Sequence, residues 1–334
     1  MAESEIRQNK ATREWVVFAP SRGKRPHDFK RKKREGNGLP DFDRDCPFCP
    51  GHEEALGSII MALHGPECDS WQTRVVPNKF PALTPHGNTD RQGKGIYMTM
   101  NAYGRHEVII ESPKHNHQIA LMSVQEVETI IETYHQRYVH LMKQHENMMT
   151  ILFRNHGARA GTSLIHPHSQ IIVTGMVPQY IRKREEEAQR HFDEHGHCVY
   201  CDILKFESRD RRRVILENGS FLAFIPFAAD VPFEIWIMPL KHQADFGHIS
   251  DAEKTDMAAA LQSVLSRLHR KLNDPDYNYV ITTAARYRAG EPQLHWYLQI
   301  SPRLTTRAGF EIGSGISINP SLPEQDAEFL LRDN

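Results

Sequence analysis

Residues 163–172 read SLIHPHSQII, an apolar run interrupted by two imidazoles, a hydroxyl and an amide. Side chains alternate faces along a strand, so a strand here would turn His166, His168 and Gln170 the same way. Neutral imidazole can ligate a metal or attack phosphorus as a nucleophile. The pattern returns once with one informative change: HWYLQI, from His295, keeps the first histidine and the glutamine but has Tyr297 where the first copy has His168. Chemistry is therefore expected in the first copy, with His168 as nucleophile and Gln170 as a donor to phosphate oxygens. The second copy would keep the scaffold alone. Any single histidine could instead be a satisfied core residue. The alternation, and the loop NHGARAGTS (155–163) with its backbone and hydroxyl donors, favour a site that stabilises developing negative charge.

Four of the five cysteines form two Cys-x-x-Cys pairs, CPFC (Cys46, Cys49) and CVYC (Cys198, Cys201), with Cys68 left over and without an assigned role. Each pair is trailed by two histidines at matched intervals. One set is Cys46, Cys49, His115 and His166; the other is Cys198, Cys201, His242 and His295. Four Cys and His ligands suit tetrahedral zinc and leave no open position for substrate, so two structural zinc ions per chain are expected. A redox dithiol would need a βαβ context, which neither pair has.

These groups must be positioned by elements that also occur twice. After the first Cys pair come the apolar run HEVIIESPKH, a helix opening at Ser123 with a capping box to Glu126, the run MMTILF, a glycine-containing loop and HPHSQII. After the second come FEIWIMPLKH, a helix opening at Ser250 with a capping box to Glu253, YNYVITT, a glycine-containing loop and HWYLQI. The expected fold is α+β, with two tandem units that each pack one long helix on an antiparallel sheet. The units are set at 1–180 and 181–334. The charged stretch 181–197 between them reads as a solvated helix face, and KRPHDFKRKKREGNGLPDFDRD as a mobile basic-to-acidic loop.

A chain of 334 residues with 39% apolar and 25% charged residues has ample core for this plan. Its formal charge of −1 gives no general attraction to nucleic acid or membrane, and no run approaches a membrane span. The N-terminal stretch has no apolar signal region, so the expected location is cytoplasmic.

His-x-His-x-Gln after a glycine-rich loop resembles the transferase branch of the histidine triad superfamily. The wider series REWVVFAPSRGKRP, CPFCPG, RVVPNKFPAL, HEVIIESPKH, RNHGARAGTSLIHPHSQ, FEIWIMP and GFEIGSG is similar to the galactose-1-phosphate uridylyltransferase family, whose subunit is a tandem of two such units. The resemblance implies a double displacement. His168 would attack the α-phosphorus of a nucleotide sugar and expel the sugar 1-phosphate, and a second acceptor would collect the nucleotide. It implies that Gln170, Asn155, Gly161 and Ser163 hold phosphoryl oxygens, that Arg22 and Arg25 bind phosphate, that Asn78 contacts the nucleotide and Glu311 the sugar. It also implies a homodimer. Ser169, the ending IGSGISINP, the CVYC pair and HWYLQI look closer to the ADP-glucose phosphorylase group, which passes an adenylyl group to inorganic phosphate. The acceptor is therefore a hexose 1-phosphate or inorganic phosphate. A hydrolase is disfavoured because that branch has histidine where Gln170 stands. A non-catalytic zinc scaffold is disfavoured because such a relative would tend to lose the nucleophile, as the second copy has.

Overall fold

Period-two apolar runs from both halves pair into one ten-stranded antiparallel sheet in a computed structural model, which describes residues 4–22, 29, 39–65 and 70–332. From one edge the second half contributes β10 (Val214–Glu217), β11 (Phe221–Phe224), β12 (Ile235–Pro239), β14 (Tyr297–Pro302) and β13 (Tyr277–Thr282). The first half follows with β8 (Met149–His156), β9 (His168–Thr174), β7 (Gly104–Ile110), β4 (Trp71–Pro77) and β3 (Met61–His64). Read outward from the centre, the two halves have the same strand order. The α+β architecture matches expectation, but the two anticipated sheets are one. Strands β8 and β13 join them, with Asn155 opposite Asn278 and Phe153 opposite Val280. Each half thereby satisfies the ladder of an edge strand that would otherwise face solvent unpaired.

Two long helices cover one face of this sheet. Helix α1 (Val124–Met142) starts at Ser123, whose Oγ accepts from Glu126 N while Glu126 returns a carboxylate oxygen to Ser123 N at 2.8 Å. Helix α4 (Asp251–Leu272) starts at Ser250 with the same reciprocal bonds to Glu253. Both capping boxes read from sequence are present; each satisfies donors that the first helical turn leaves orphaned. Val127, Ile130, Ile131 and Tyr134 of α1 and Leu261, Val264, Leu265 and Leu268 of α4 are buried in one core with Ile171 and Val173 of β9. The alternate residues of β9, His168, Gln170 and Ile172, therefore point to the opposite face.

That opposite face differs between the halves. In the second half it is filled by α2 (Gln179–His195) and α3 (Val199–Asp210), whose Ala188, Val199, Tyr200 and Leu204 pack on Trp236, Met238 and Tyr297. The charged stretch at 181–197 is indeed helical, and it covers sheet with a buried face of Glu185, Ala188 and His191. In the first half a smaller cluster of Leu56, Trp71, Val76, Val108 and Ile110, with Phe48 against it, lies on the sheet. The basic-to-acidic loop falls mostly outside the described residues, as do Cys68 and Arg25. A small sheet of β1 (Glu5–Gln8), β2 (Trp15–Phe18) and β15 (Ser317–Asn319) ties the two ends of the described chain together.

Beneath His168, on the helix side, lies a buried polar network. Glu111 accepts from Arg154 Nε at 2.8 Å, from Tyr134 Oη at 2.8 Å and from Ser169 Oγ. Arg154 also donates to Tyr277 Oη at 2.8 Å and to Gln118 Oε1 at 2.6 Å. Both members of the ion pair are almost fully buried, so removing one leaves an uncompensated charge in the core. Arg154→Met should lower unfolding free energy by about 3–5 kcal/mol. Urea denaturation checks this, and a loss below 1 kcal/mol would show that the network is not closed as described.

Candidate active site and metal centres

Strand β9 begins at His168, one step later than the sequence pattern suggests, and His166 lies in the approach to it. Pro167 stands between them and has no N–H to give the ladder, although its carbonyl accepts from Glu111 N at 3.0 Å. The two imidazoles are consequently not strand neighbours but are linked directly. His168 Nδ1 lies 2.8 Å from the carbonyl oxygen of His166. A carbonyl only accepts, so the proton is on Nδ1 and the lone pair on Nε2. Burial holds the His168 pKa below its ordinary value of 6.5, keeping the ring neutral near pH 7. The His166 carbonyl pulls the other way, as does Glu111, without reversing the shift. Phe48 meets the His168 ring edge-on, with centroids 5.4 Å apart.

Gln170 is the next residue on the same face. Its Oε1 is 2.7 Å from His106 Nε2 on β7. His106 Nδ1 accepts from Ala82 N at 3.2 Å, so the proton is on Nε2 and the carbonyl end of Gln170 is occupied. The amide NH2 is left as a donor on the face that His168 shares. Asn78 stands beside this pair, with Nδ2 3.1 Å from His106 Nε2 and Oδ1 accepting from Phe80 N. His106 and Phe48 escaped the sequence reading. The signal for His106 was its even spacing in HEVII, which sets it across from β9 on the face of Gln170.

The loop after β8 completes the rim. Asn155 continues β8 just past the Arg154–Ser169 pair, and its Oδ1 accepts from Asn278 Nδ2 at 2.7 Å. Gly157 has φ +83 and would place a Cβ 1.8 Å from Asp276 Oδ1, so glycine alone fits there. Gly161 closes the next turn at φ +90. Ser163 follows, exposed, in the approach to His166. Arg22 ends an exposed turn at Pro20–Arg22. Glu311 caps a short helix, α5 (Gly309–Ser314), by accepting from Ala308 N at 2.7 Å. No contact ties either Arg22 or Glu311 to His168.

Both expected ligand sets are assembled. Cys46, Cys49, His115 and His166 bring their donor atoms together, as do Cys198, Cys201, His242 and His295. In the first, Cys46 Sγ and Cys49 Sγ are each 3.7 Å from His166 Nδ1, and Cys49 Sγ is 3.6 Å from His115 Nδ1. Tetrahedral zinc bonds of roughly 2.3 Å to sulfur and 2.0–2.1 Å to nitrogen put such neighbours roughly 3.6 Å apart, so the residues fit the ion. His166 Nε2 donates to the Ser112 carbonyl at 2.8 Å, which reserves Nδ1 for the metal. Burial lowers the His166 pKa to about 4, so it presents a neutral, ligating ring. In the second, Cys201 Sγ is 3.3 Å from His242 Nδ1 and 3.7 Å from His295 Nδ1, and His295 Nε2 donates to the Pro239 carbonyl at 3.0 Å. The counterpart of His168 there, Tyr297, is fully buried and stacked on Trp236 at 4.5 Å.

His166→Ala should remove one metal ion per chain and cut turnover, because the same residue orients the His168 ring. His295→Ala should remove one ion and leave the His168 chemistry within about 10-fold, since its half carries no nucleophile. Elemental analysis alongside initial rates checks both. Equal loss of activity in the two variants would contradict the division of labour.

The galactose-1-phosphate uridyl transferase N-terminal domain model matches residues 1–178, and its C-terminal domain counterpart matches residues 184–309. The ADP-glucose phosphorylase of Arabidopsis thaliana is 37% identical over 98% of this chain and 92% of its own length. A galactose-1-phosphate uridylyltransferase of Haemophilus influenzae is 26% identical over 87% of this chain and 81% of its own. The crystal structure of an ADP-glucose phosphorylase from Arabidopsis thaliana with bound ADP-glucose superposes with a TM-score of 0.84 at 33% identity, covering 100% of this chain and 99% of that one.

Proposed function

The chain belongs to the galactose-1-phosphate uridyl transferase family, and on that footing we propose that it moves a nucleoside monophosphate from a nucleotide sugar to a phosphate-bearing acceptor through His168. The observation that carries this reading is the 2.8 Å bond from His168 Nδ1 to the His166 carbonyl, which leaves a neutral Nε2 with its lone pair free. In the first step Nε2 attacks the α-phosphorus, a P–N bond forms, and the P–O bond to the sugar 1-phosphate breaks with its electron pair on the departing oxygen. In the second step an acceptor oxygen attacks the same phosphorus and the P–N bond returns its pair to Nε2. No external base is needed, because the attacking atom carries no proton.

Gln170, aimed by His106, donates to the phosphoryl oxygens as charge builds on them. Asn155, Gly161 and Ser163 line the loop that receives the same phosphates. Arg22, Arg25, Asn78 and Glu311 are assigned phosphate, nucleotide and sugar contacts by resemblance to the family. Zinc at both Cys/His centres would act as scaffold: in the first it fixes His166 and with it the carbonyl that orients His168. We read residues 1–180 as the catalytic unit and 181–334 as its scaffold partner, supported by the mirrored strand orders.

A homodimer is supported by the exposure of the large apolar side chains Phe80, Ile96, Tyr97, Met98 and Ile312. A cytoplasmic location is supported by four cysteines held as thiol pairs rather than disulfides. Two acceptors fit this chemistry. A UDP-glucose donor with hexose 1-phosphate as acceptor follows the family's name. An ADP-sugar donor with inorganic phosphate is favoured by the higher identity to the Arabidopsis phosphorylase, 37% against 26%.

Intact mass after brief mixing with ADP-glucose or UDP-glucose, acceptor omitted, should show one nucleotidyl adduct per chain. Its base identifies the donor. His168→Ala should abolish the adduct and lower turnover roughly 10^4-fold or more. An adduct that persists in this variant would remove His168 as nucleophile. The pH dependence has a definite sign. Protonation of Nε2 destroys the nucleophile, and burial depresses that pKa, so the acid limb of adduct formation should lie below pH 6.5. A limb at or above 6.5 would contradict a buried neutral ring.

A further inference from the structure

One cluster of metal-ligating side chains lies outside the site and both Cys/His centres. Helix α2 ends with His191 and His195 one turn apart, their rings stacked with centroids 4.2 Å apart and planes 11° from parallel. Gly196, in the left-handed region at φ +77, stops the helix and reverses the chain. His197 therefore swings back over the end of α2 before Cys198 opens α3, and the first turn of α3 brings up Asp202. One oxygen of that carboxylate, Oδ2, is 3.0 Å from His191 Nε2 and 3.1 Å from His197 Nδ1. All three ligand atoms lie within 4.8 Å of one another. Among the described residues no lysine or arginine forms an ion pair with Asp202.

We infer that His191, His197 and Asp202 form a third metal site, a two-histidine, one-carboxylate face for a divalent first-row ion such as Zn2+. The separations support it. Bonds of roughly 2.0–2.1 Å place adjacent ligand atoms roughly 2.9 Å apart in an octahedron and 3.4 Å apart in a tetrahedron, and the two measured edges fall between them. Imidazole and carboxylate are the donors such ions accept from nitrogen and oxygen ligands. His191 is pre-set: it is buried, stacked on His195, and His195 Nδ1 in turn donates to its backbone carbonyl at 3.0 Å. Three protein ligands leave positions for water. An ion here would exchange readily, whereas a four-ligand Cys/His centre would hold its ion closed.

The test uses the full chain with both Cys/His centres loaded, freed of loosely held metal by brief passage over a chelating resin. Wild type should then take up one further equivalent of Zn2+ by calorimetry and elemental analysis. His197→Ala and Asp202→Asn should take up none while keeping the ions already bound. His197 is the safer probe because its side chain is 54% exposed. With Co2+ as the probe, the extra equivalent should bring weak ligand-field bands without sulfur-to-cobalt charge transfer, since none of the three ligands is a thiolate. Near-UV circular dichroism should be unchanged in both variants. Equal uptake by wild type and His197→Ala, whether zero or one equivalent, would overturn the inference, as would thiolate charge transfer accompanying the extra cobalt.

Discussion

A single hydrogen bond, from His168 Nδ1 to the carbonyl of His166, couples the two halves of the site's logic. The side chain of His166 lies in a Cys/His cluster that could hold a metal, and its backbone carbonyl holds the ring of the proposed nucleophile. Whatever fixes one fixes the other. Nδ1 of His166 is reserved for metal because Nε2 is spent on Ser112, and the ring is kept neutral by burial. The carbonyl of the same residue is then a rigid acceptor. It selects one tautomer of His168 and so decides which nitrogen can attack. A metal held by those four ligands would not touch substrate, yet through this bond it would fix the tautomer beside it.

The surrounding fold can be understood as what such a bond requires. Ser169, between the two face residues of β9, points to the helix side and is bound into the Glu111–Arg154–Tyr134 network. That network pins the strand from below, while Phe48 of the first Cys loop and His106 of β7 pin the two functional side chains from the sides. The second half keeps the sheet, the capped helix and the Cys/His centre but covers the equivalent face with α2 and α3. Tyr297 there is a packing residue, stacked between Trp236 and Tyr200. The two halves share one continuous ladder, so the second contributes scaffold whether or not it has chemistry of its own.

Much of this was legible because it rested on local rules. The capping serines, the helical periodicity and the paired cysteines each follow from short spacings, and the replacement of His168 by Tyr297 gave the asymmetry between copies. Three things were not. The junction of β8 with β13 depends on two edges finding each other across more than a hundred residues, which no local pattern records. The start of β9 at His168 was misplaced by treating His166, Pro167 and His168 as one strand, although proline cannot serve a ladder there. His106 was hidden because an imidazole that orients a glutamine looks, in sequence, like any half-buried polar residue on a strand. Arg25 falls outside the described residues, and Arg22 and Glu311 rest on resemblance, because exposed side chains are defined by their ligands and not by neighbours in the chain.

The central claim is that His168 is a neutral imidazole protonated on Nδ1. Long-range proton–nitrogen correlation spectra of protein labelled with 15N-histidine, with His168 assigned by substitution, test it at neutral pH without any substrate. The account predicts a protonated Nδ1 and an unprotonated Nε2, with that pattern lost when metal is stripped from the first centre. A proton on Nε2, or a doubly protonated ring, would contradict it.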